Sequence, residues 1–264
     1  MFPRMETLGR ADLGGGWTLT HFDEVPSTNA ELVRLALSGA GEGTALSADH
    51  QSAGKGRLGR NWDDVSGSSV LVSVLLRPRF SVNDYFATTC AMSLAAVESL
   101  RALGVAASIK WPNDLLVGKE KISGILAEAG ETPVGRYVVV GVGINVNQSR
   151  EDLAVLGRPA TSLREATGSL LGPGERDALR IDLLRRFRAA YEPLQVSFAP
   201  AFAELLRRYR AACATLESFV RVELSDGEVI SGQVLDISNQ GHLLVELDSC
   251  IRSVSAGDVE HLYS

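Results

Sequence analysis

The sequence predicts an α+β fold, in which a mixed, largely antiparallel sheet is packed with helices and is followed by a small β-barrel. Strand patterns follow one another closely over residues 107–147. Apolar residues at helical spacing cover three long stretches, residues 84–103, 177–191 and 199–214. After Thr215 the pattern changes to short alternating strands, which are typical of a small barrel docked on a larger domain. We therefore expect an N-terminal arm (1–16), a main domain (17–214) and a C-terminal barrel (215–264).

The first half of the chain opens with a polar, Gly-rich segment and then combines strands with two helices. Ser27, Thr28 and Asn29 offer capping side chains to the first helix, which Gly39 ends. The predicted elements are a flexible arm over 1–16, strands over 17–22, 44–48 and 69–76, helices over 30–37 and 84–103, and a polar loop rich in Gly and Arg over 51–68.

The second half carries four sheet strands, two Arg-rich helices and the barrel. Ser225, Asp226 and Gly227 predict a hairpin turn within the barrel. The predicted elements are strands over 107–110, 114–117, 121–129 and 136–147, a loop over 148–175 with a short helix over 162–167, helices over 177–191 and 199–214, and barrel strands over 220–224, 229–237, 243–247, 251–254 and 259–262.

The composition is that of an ordinary globular protein and argues against several classes. With 26 basic and 32 acidic side chains the formal net charge is −6, so no overall attraction to nucleic acid or to an anionic membrane is expected. No apolar run approaches the roughly 20 residues of a membrane-spanning helix, and residues 1–16 lack the apolar stretch of a signal peptide. The three cysteines are far apart in the sequence, so a reducing cytoplasm fits best.

Lysine is rare in this chain and is confined to one region. Of the 26 basic residues only four are Lys, and Lys55, Lys110, Lys119 and Lys121 all fall within residues 55–121. Arg can serve most surface purposes, so each Lys is a candidate for a specific role. The Arg clusters of the long helices are interpreted as solvated helix faces.

Residues 54–60 (GKGRLGR) form a candidate anion-binding loop. Three glycines allow successive N–H groups to converge on one anion, and Lys55, Arg57 and Arg60 add three cations. The segment matches G-x-G-x-x-G, but a dinucleotide-binding loop must open a helix, whereas this one leads into a strand. The kinase interpretation fails because the chain has no H-R-D or D-F-G sequence. A surface loop with incidental charge remains the alternative.

A second candidate segment is KWPND, residues 110–114, together with Lys121. Pro112 makes the turn rigid, so a cation, two polar oxygen groups and an aromatic ring are held at the end of a strand. Lys121 would enter an apolar strand pair, where an ammonium group is costly unless an anion meets it. A hairpin whose lysines reach out to water is an equally good interpretation of this segment alone.

Other features of the sequence are less specific. The four histidines are scattered without metal-ligand spacing, so no structural metal is indicated. Gly141 and Gly143 interrupt a predicted strand, which either the close approach of a ligand or a β-bulge would explain.

Five segments in order resemble the biotin–protein ligases. They are STN at 27–29, QSAGKGRLGRNW at 51–62, KWPND at 110–114, KISGIL at 121–126 and GVGIN at 141–145. The resemblance implies a catalytic domain of the class II synthetase and biotin ligase type over 17–214, followed by an SH3-like barrel over 215–264. Only about 16 residues precede the first strand, so the expected type is the monofunctional ligase without an N-terminal DNA-binding domain.

The resemblance also implies an activity and its partners. Members of the family join biotin to ATP, giving biotinyl-5′-AMP and pyrophosphate. They then transfer the biotinyl group to one lysine of a biotin carboxyl carrier protein domain, usually of an acyl-CoA carboxylase. ATP and Mg²⁺ are the implied cofactors, biotin is the substrate, and no nucleic acid or membrane partner is expected.

Roles for individual residues follow from the same resemblance. Lys121 and Arg57 are the implied catalytic residues, with Lys121 meeting the biotin carboxylate or the acyl-phosphate. The implied biotin-binding residues are Ser27, Thr28, Asn29, Gln51, Lys55, Gly56, Arg57, Lys121 and Gly124. The implied ATP- or adenylate-binding residues are Arg57, Arg60, Trp62, Lys110, Asn113, Asp114 and Asn145, with Asp114 also a candidate Mg²⁺ ligand. The 54–60 loop is expected to become ordered when biotin and ATP bind.

One departure and two alternatives stay open at this point. Many members of the family have Arg where this chain has Lys55, and an ammonium holds an anion without the bidentate fork of a guanidinium. A lipoate-protein ligase-like acyl-adenylating enzyme of similar fold is the nearest alternative. A nucleotide-binding module without chemistry is the other. A DNA-binding repressor function should be absent, because too few residues precede the first strand for a DNA-reading domain.

Overall fold

A large sheet of eight strands forms the frame of the main domain. The computed structural model describes residues 7–224, 226–248, 250–255 and 257–262. The strands are β1 (Thr7–Gly14), β2 (Trp17–Val25), β3 (Thr44–Gln51), β4 (Ser69–Leu76), β5 (Ser108–Lys110), β6 (Asp114–Val117), β7 (Glu120–Thr132) and β8 (Gly135–Asn145). Their order is β1-β2-β3-β4-β8-β7-β6-β5, and every neighbouring pair is antiparallel except β2 with β3. The predicted α+β class with a largely antiparallel sheet is therefore confirmed.

Helices cover both faces of this sheet. They are α1 (Thr28–Leu37), α2 (Phe86–Ala102), α3 (Arg150–Ala154), α4 (Leu163–Thr167), α5 (Pro173–Val196) and α6 (Phe198–Ala212). On one face α1 buries Leu32 and Ala36 against Leu46, Leu75 and Val139. On the other face α2, α5 and α6 build the larger core. None of the helices in the part of the chain that the structure describes is both long and apolar enough to cross a membrane.

Two helix predictions differ from the structure. Helix α5 begins four residues earlier than expected, because Pro173 occupies its first turn and Glu175 reaches back to the Gly172 N–H at 2.8 Å. Helix α3 lies within a predicted loop, and a reciprocal capping box between Ser149 and Asp152 begins it. The predicted short helix at 162–167 is present as α4.

The prediction of a flexible arm is wrong for residues 7–16. Residues Thr7–Gly14 form β1, an edge strand paired antiparallel with β2. Gly15 and Gly16, both with positive φ, make the turn between the two strands, and Leu13 is buried. The segment is polar and shows no apolar alternation, so its sequence does not predict a strand. Its order comes from backbone hydrogen bonds to β2. Residues 1–6 of the predicted arm lie outside the described residues.

A second, smaller sheet follows and packs on the main domain. Its strands are β9 (Phe219–Glu223), β10 (Val229–Ile237), β11 (Leu243–Leu247), β12 (Cys250–Val254) and β13 (Asp258–His261), in the order β12-β11-β10-β9-β13, all antiparallel. The Trp111 indole N–H donates to the Gly241 carbonyl at 3.0 Å across the junction. Of the predicted hairpin turn, Gly227 has φ +85° and Ser225 lies outside the described residues.

Candidate active site

One cavity collects most of the predicted site residues. It lies between the start of α1, the end of β3, the loop of residues 54–60 (the Gly/Arg loop) and strands β6–β8, and measures about 770 Å³ including its open mouth. Thirteen of the fifteen predicted residues line it: Ser27, Thr28, Asn29, Gln51, Lys55, Gly56, Arg57, Arg60, Trp62, Asn113, Asp114, Lys121 and Gly124. The five separate segments of the sequence thus meet in one place, with a neutral polar end and a cationic end.

The neutral end is built on the first turn of α1. Ser27 is the N-cap, and its hydroxyl accepts the Ala30 N–H at 3.4 Å. The Thr28 N–H donates to Gln51 Oε1 at 2.7 Å, and the Thr28 hydroxyl lies 3.0 Å from the same oxygen. Because a backbone N–H can only donate, Gln51 must present its oxygen here, and its Nε2 is left to face the loop near Gly54.

The cationic end is centred on Lys121. Its Nζ lies 2.6 Å from Asp114 Oδ1 and 6.0 Å from the centre of a Trp62 ring. Burial lowers the pKa of Lys121, and the Asp114 carboxylate opposes that shift. Asp114 therefore helps to keep a buried ammonium group charged. It is the anion that the sequence predicts a buried Lys121 to need.

Local irregularity in the sheet sets where Lys121 points. The pairing of β6 with β7 shifts register between Leu115 and Leu116, and such a bulge re-aims a side chain. Residues 159–161, which precede α4, hydrogen-bond to the backbone of Lys121 on its other side. The Lys121 N–H donates to the Pro159 carbonyl at 3.1 Å, and the Thr161 N–H donates to the Lys121 carbonyl at 2.9 Å.

The Gly/Arg loop is held to both domains. Within the loop, the Gly56 N–H donates to the Arg60 carbonyl at 2.7 Å. The Arg57 guanidinium donates to Asn113 Oδ1 at 3.0 Å, and Arg60 pairs with Asp258 of the C-terminal sheet. Burial lowers the pKa of Arg57, while Asp114 and Asp258 act in the opposite direction. The loop thus carries two arginines into the cavity.

Trp62 explains one of the two glycines that interrupt β8. A Cβ on Gly143 would come within 2.5 Å of the Trp62 ring, and one on Gly124 within 3.1 Å. A side chain at Gly141 would meet Asn29 and Ser73 instead. The pairing of β8 with β4 and β7 is regular here, so the bulge alternative is wrong, and close approach of side chains is the reason for both glycines.

Two predicted site residues lie outside the main cavity. Lys110 lines an adjoining cleft of about 1330 Å³ between the two sheets, together with Lys119 and other charged residues. Asn145 lines a small cavity beside Trp62, and its amide donates to the Thr161 carbonyl at 3.0 Å. Its side chain therefore fixes the segment that flanks Lys121, and its contact with a nucleotide stays a prediction.

The structure adds residues that the sequence did not single out. Arg158 lines the main cavity and both neighbouring ones, and Asp258 lines two of the three. Ser73 lies at the bottom of the neutral end, completely buried. No local sequence pattern marks Arg158 or Asp258 as site residues. Arg158 lies in a predicted loop and Asp258 in the C-terminal sheet, and only the folded structure places them at the cavity. Ser73, a polar residue within an apolar strand, was a usable signal.

The described residues contain no group of three or more His, Cys, Asp or Glu side chains that could hold a metal ion by themselves. Mg²⁺ commonly binds through one or two carboxylates together with substrate phosphates, and keeps several waters. Asp114 and Asp258 both line the main cavity. The donor set therefore fits a metal that arrives with a phosphate ligand better than a resident metal.

Fold and site together define a class: a two-sheet α+β protein whose cavity suits the joining of two anionic substrates under a cationic, glycine-rich loop. Residues 21–145 match the model of the Biotin/lipoate A/B protein ligase family, and residues 215–262 match that of the Biotin protein ligase C terminal domain.

Individual relatives agree with these matches. The Biotin--[acetyl-CoA-carboxylase] ligase of Mycobacterium tuberculosis is 37% identical, over 94% of this chain and 91% of its own. The Bifunctional ligase/repressor BirA of Escherichia coli is 31% identical, over 96% of this chain and 76% of its own. The Aquifex aeolicus biotin protein ligase in complex with biotin and ATP is 29% identical, with a TM-score of 0.77 over 93% of this chain and 99% of its own. The chain belongs to the biotin protein ligase family.

Proposed function

We propose that this protein activates biotin with ATP, giving biotinyl-5′-AMP and pyrophosphate, and then transfers the biotinyl group to a lysine of a carrier domain. The observation that carries the proposal is the junction of a neutral hydrogen-bonding end and a cationic end in one cavity. The cyclic urea of biotin needs the neutral hydrogen-bonding end. The carboxylate of biotin, brought against a phosphate of ATP, needs the cationic end. The names of the ligases from Mycobacterium tuberculosis and Aquifex aeolicus support the same activity.

Charge stabilisation is the main task of the cationic end. In the first step a carboxylate oxygen of biotin attacks the α-phosphorus of ATP, and the bond to the leaving pyrophosphate breaks. Two anions are forced together, and Lys121 and Arg57 offset the charge that builds up. Because Asp114 lies 2.6 Å from Lys121 Nζ, the ammonium group is positioned before the substrates arrive. Removing one preorganised donor of this kind costs about 3 kcal/mol of transition-state stabilisation.

The Gly/Arg loop and Trp62 are proposed to shield the acyl-adenylate from water. Lys55, Gly56 and Arg57 lie over the cavity, and the Trp62 ring lies against the glycines of β7 and β8. Water exclusion protects a reactive mixed anhydride until the acceptor arrives. Arg60, Lys110, Asn113 and Asn145 are proposed to contact the nucleotide.

Mg²⁺ is proposed to accompany ATP. Asp114 is the carboxylate in the best place to hold it, and when bound the ion would neutralise phosphate charge. The Asp114 carboxylate also has Lys121 as a partner, so it would be shared between an ammonium group and a metal.

The proposed acceptor is a biotin carboxyl carrier protein domain of an acyl-CoA carboxylase. The acceptor amine attacks the acyl carbon, and AMP leaves with the bonding electrons. Support comes from relatives named for acetyl-CoA carboxylase. We place the protein in the cytoplasm, which agrees with three free cysteines, two of them buried.

Exchange of [³²P]pyrophosphate into ATP tests the first step. We expect exchange with biotin, and little with lipoate or without an acid. The neutral end of the cavity should favour biotin over lipoate, because its hydrogen-bond acceptors can bind the ring N–H groups of biotin. The dithiolane ring of lipoate has no N–H groups. Exchange that depends on lipoate and ignores biotin would overturn the proposal, as would ATP binding with no exchange at all.

A further inference from the structure

A chain of hydrogen bonds runs along the neutral end of the cavity, buried at Ser73 and part-buried at Glu128, where it ends. Asn29, 4% exposed, is at its centre. Its Nδ2 lies 2.8 Å from Glu128 Oε2 and 3.3 Å from the Leu126 carbonyl oxygen. Its Oδ1 lies 2.6 Å from the Ser73 hydroxyl, which in turn lies 2.7 Å from the Thr28 hydroxyl. Glu128 does not line the cavity, but hydrogen bonds connect it to Asn29, Ser73 and Thr28, which do.

The direction of each hydrogen bond follows from the groups at the two ends. A carboxylate and a carbonyl only accept, so the Asn29 atom between them must be the NH₂ group. Asn29 therefore turns its oxygen to Ser73, and the single Ser73 proton is donated to that oxygen. The Ser73 oxygen is then left to accept the proton of Thr28.

The consequence reaches the cavity at Thr28. At 2.7 Å, Ser73 is the nearer of its two acceptors, and Gln51 Oε1 at 3.0 Å already accepts the Thr28 N–H. The Thr28 hydroxyl thus donates inward and presents lone pairs to the cavity. An oxygen with free lone pairs accepts an N–H, which is what a cyclic urea offers at its ring edge.

We infer that Glu128 is a positioning and specificity-determining residue, which fixes the orientation of the Asn29 amide and thereby makes Thr28 an acceptor for a ring N–H of the substrate. The inference rests on the proposed function, since it assigns biotin's ureido ring to this end. Without an acceptor at position 128, only the 3.3 Å hydrogen bond to the Leu126 carbonyl holds the Asn29 amide, and the amide can reverse. Ser73 then donates to Thr28, and the proton of the Thr28 hydroxyl is freed to point into the cavity, where it would oppose a ring N–H.

Substitutions at Glu128 test the inference by steady-state pyrophosphate exchange. Glu128→Met has similar size but no acceptor, and we expect its KM for biotin to rise about tenfold, with kcat and the KM for ATP within threefold of wild type. Glu128→Gln can still accept through Oε1 and should restore the KM to within about threefold. Glu131→Met, at an exposed position on the same strand, is the matched control and should behave as wild type.

A reversed pair distinguishes hydrogen-bond direction from a general packing defect. Asn29→Asp places two carboxylates against each other and should raise the KM for biotin at least as much as Glu128→Met. In the double variant Asn29→Asp/Glu128→Gln, the new Gln amide donates to the new carboxylate at position 29, while Ser73 keeps its acceptor. This double variant should therefore recover much of the loss, although each residue differs from wild type.

Several outcomes would overturn the inference. One is a Glu128→Met enzyme with an unchanged KM for biotin; another is a double variant no better than Asn29→Asp. A rise in the KM for ATP equal to that for biotin would indicate a general structural effect and also refutes it. Failure of the proposed function is separate, because wild-type protein would then show no biotin-dependent exchange. Thermal unfolding of each variant identifies any that do not fold. If Glu128→Met is one of these, the KM values of Glu128→Gln and of the double variant test the inference in its place.

Discussion

Protonation of His261 is predicted to weaken the junction between the two sheets. His261 lies at the end of β13 and is 9% exposed, with its Nε2 2.9 Å from the Thr215 hydroxyl. That hydroxyl accepts the Trp111 N–H at 2.9 Å, so its own proton is available to a neutral imidazole nitrogen. Burial, assisted by the positive charge of Lys110, lowers the pKa of His261 from 6.5 to about 4.

The magnitude follows from the linkage between protonation and folding. Between pH 6.5 and 4 the unfolded chain binds the His261 proton and the native protein does not, so the free energy of unfolding rises with pH in this interval. The contribution is complete above pH 6.5 and is lost as the pH falls toward 4. A shift of this size corresponds to about 3 kcal/mol in full, of which about 2 kcal/mol is lost between about pH 7 and about pH 4.5.

Urea unfolding of wild type and His261→Gln measures this contribution. The Gln side chain keeps a hydrogen-bonding group near Thr215 and does not titrate, so the comparison cancels the pH dependence of every other group. We expect the stability difference between the two proteins to change by about 2 kcal/mol in favour of the variant when the pH is lowered from about 7 to about 4.5. Parallel pH profiles for the two proteins would refute the reasoning.

Three further predictions concern the active site. Lys121→Met should lower kcat/KM for biotin-dependent pyrophosphate exchange by at least about 30-fold, about 2 kcal/mol, and unchanged exchange would remove its proposed role. Asp258→Asn releases Arg60 and should speed limited proteolysis within residues 54–62, an effect that biotin plus ATP reverses; the melting temperature should change little, because an exposed ion pair contributes under about 1 kcal/mol. Gly143→Ala should displace the Trp62 ring and shift its fluorescence emission to longer wavelength, and a spectrum identical to wild type would contradict the packing of the ring on Gly143.

Much of the sheet could be predicted from local pattern alone. Strand β4, largely apolar and β-branched, has the predicted bounds, and α2 is close to its prediction. Strand β1 was missed because its order comes from pairing with β2, which composition does not signal. Helix α3 was missed because five residues held by one capping box are too short to show a helical period.

The site was predictable where one segment carries its own chemistry. The loop at 54–60 and the residues around Lys121 each combine lysine, which is rare in this chain, with turn-forming residues. The structure places both segments at one cavity. Asp258 and Glu128 were not predictable in this way. Asp258 meets Arg60 from 198 residues away, and Glu128 meets Asn29 from 99 residues away. Those contacts follow from how the sheets are assembled, and no short pattern contains that information.

Three of the cations that line the cavity share one arrangement, and two of them, Lys121 and Arg57, are partly buried while Arg60 is exposed. Lys121 has Asp114, Arg60 has Asp258, and Arg57 has the side-chain oxygen of Asn113, so each already has an oxygen partner within the protein. A buried charge without such a partner would lose its proton or destabilise the fold. An arriving phosphate or carboxylate then joins or replaces an existing oxygen ligand, which costs less reorganisation than gathering scattered cations around it. Lysine at position 121 therefore has a physical reason: the Asp114 carboxylate holds one compact ammonium group ready, and its remaining N–H donors stay available to a substrate oxygen.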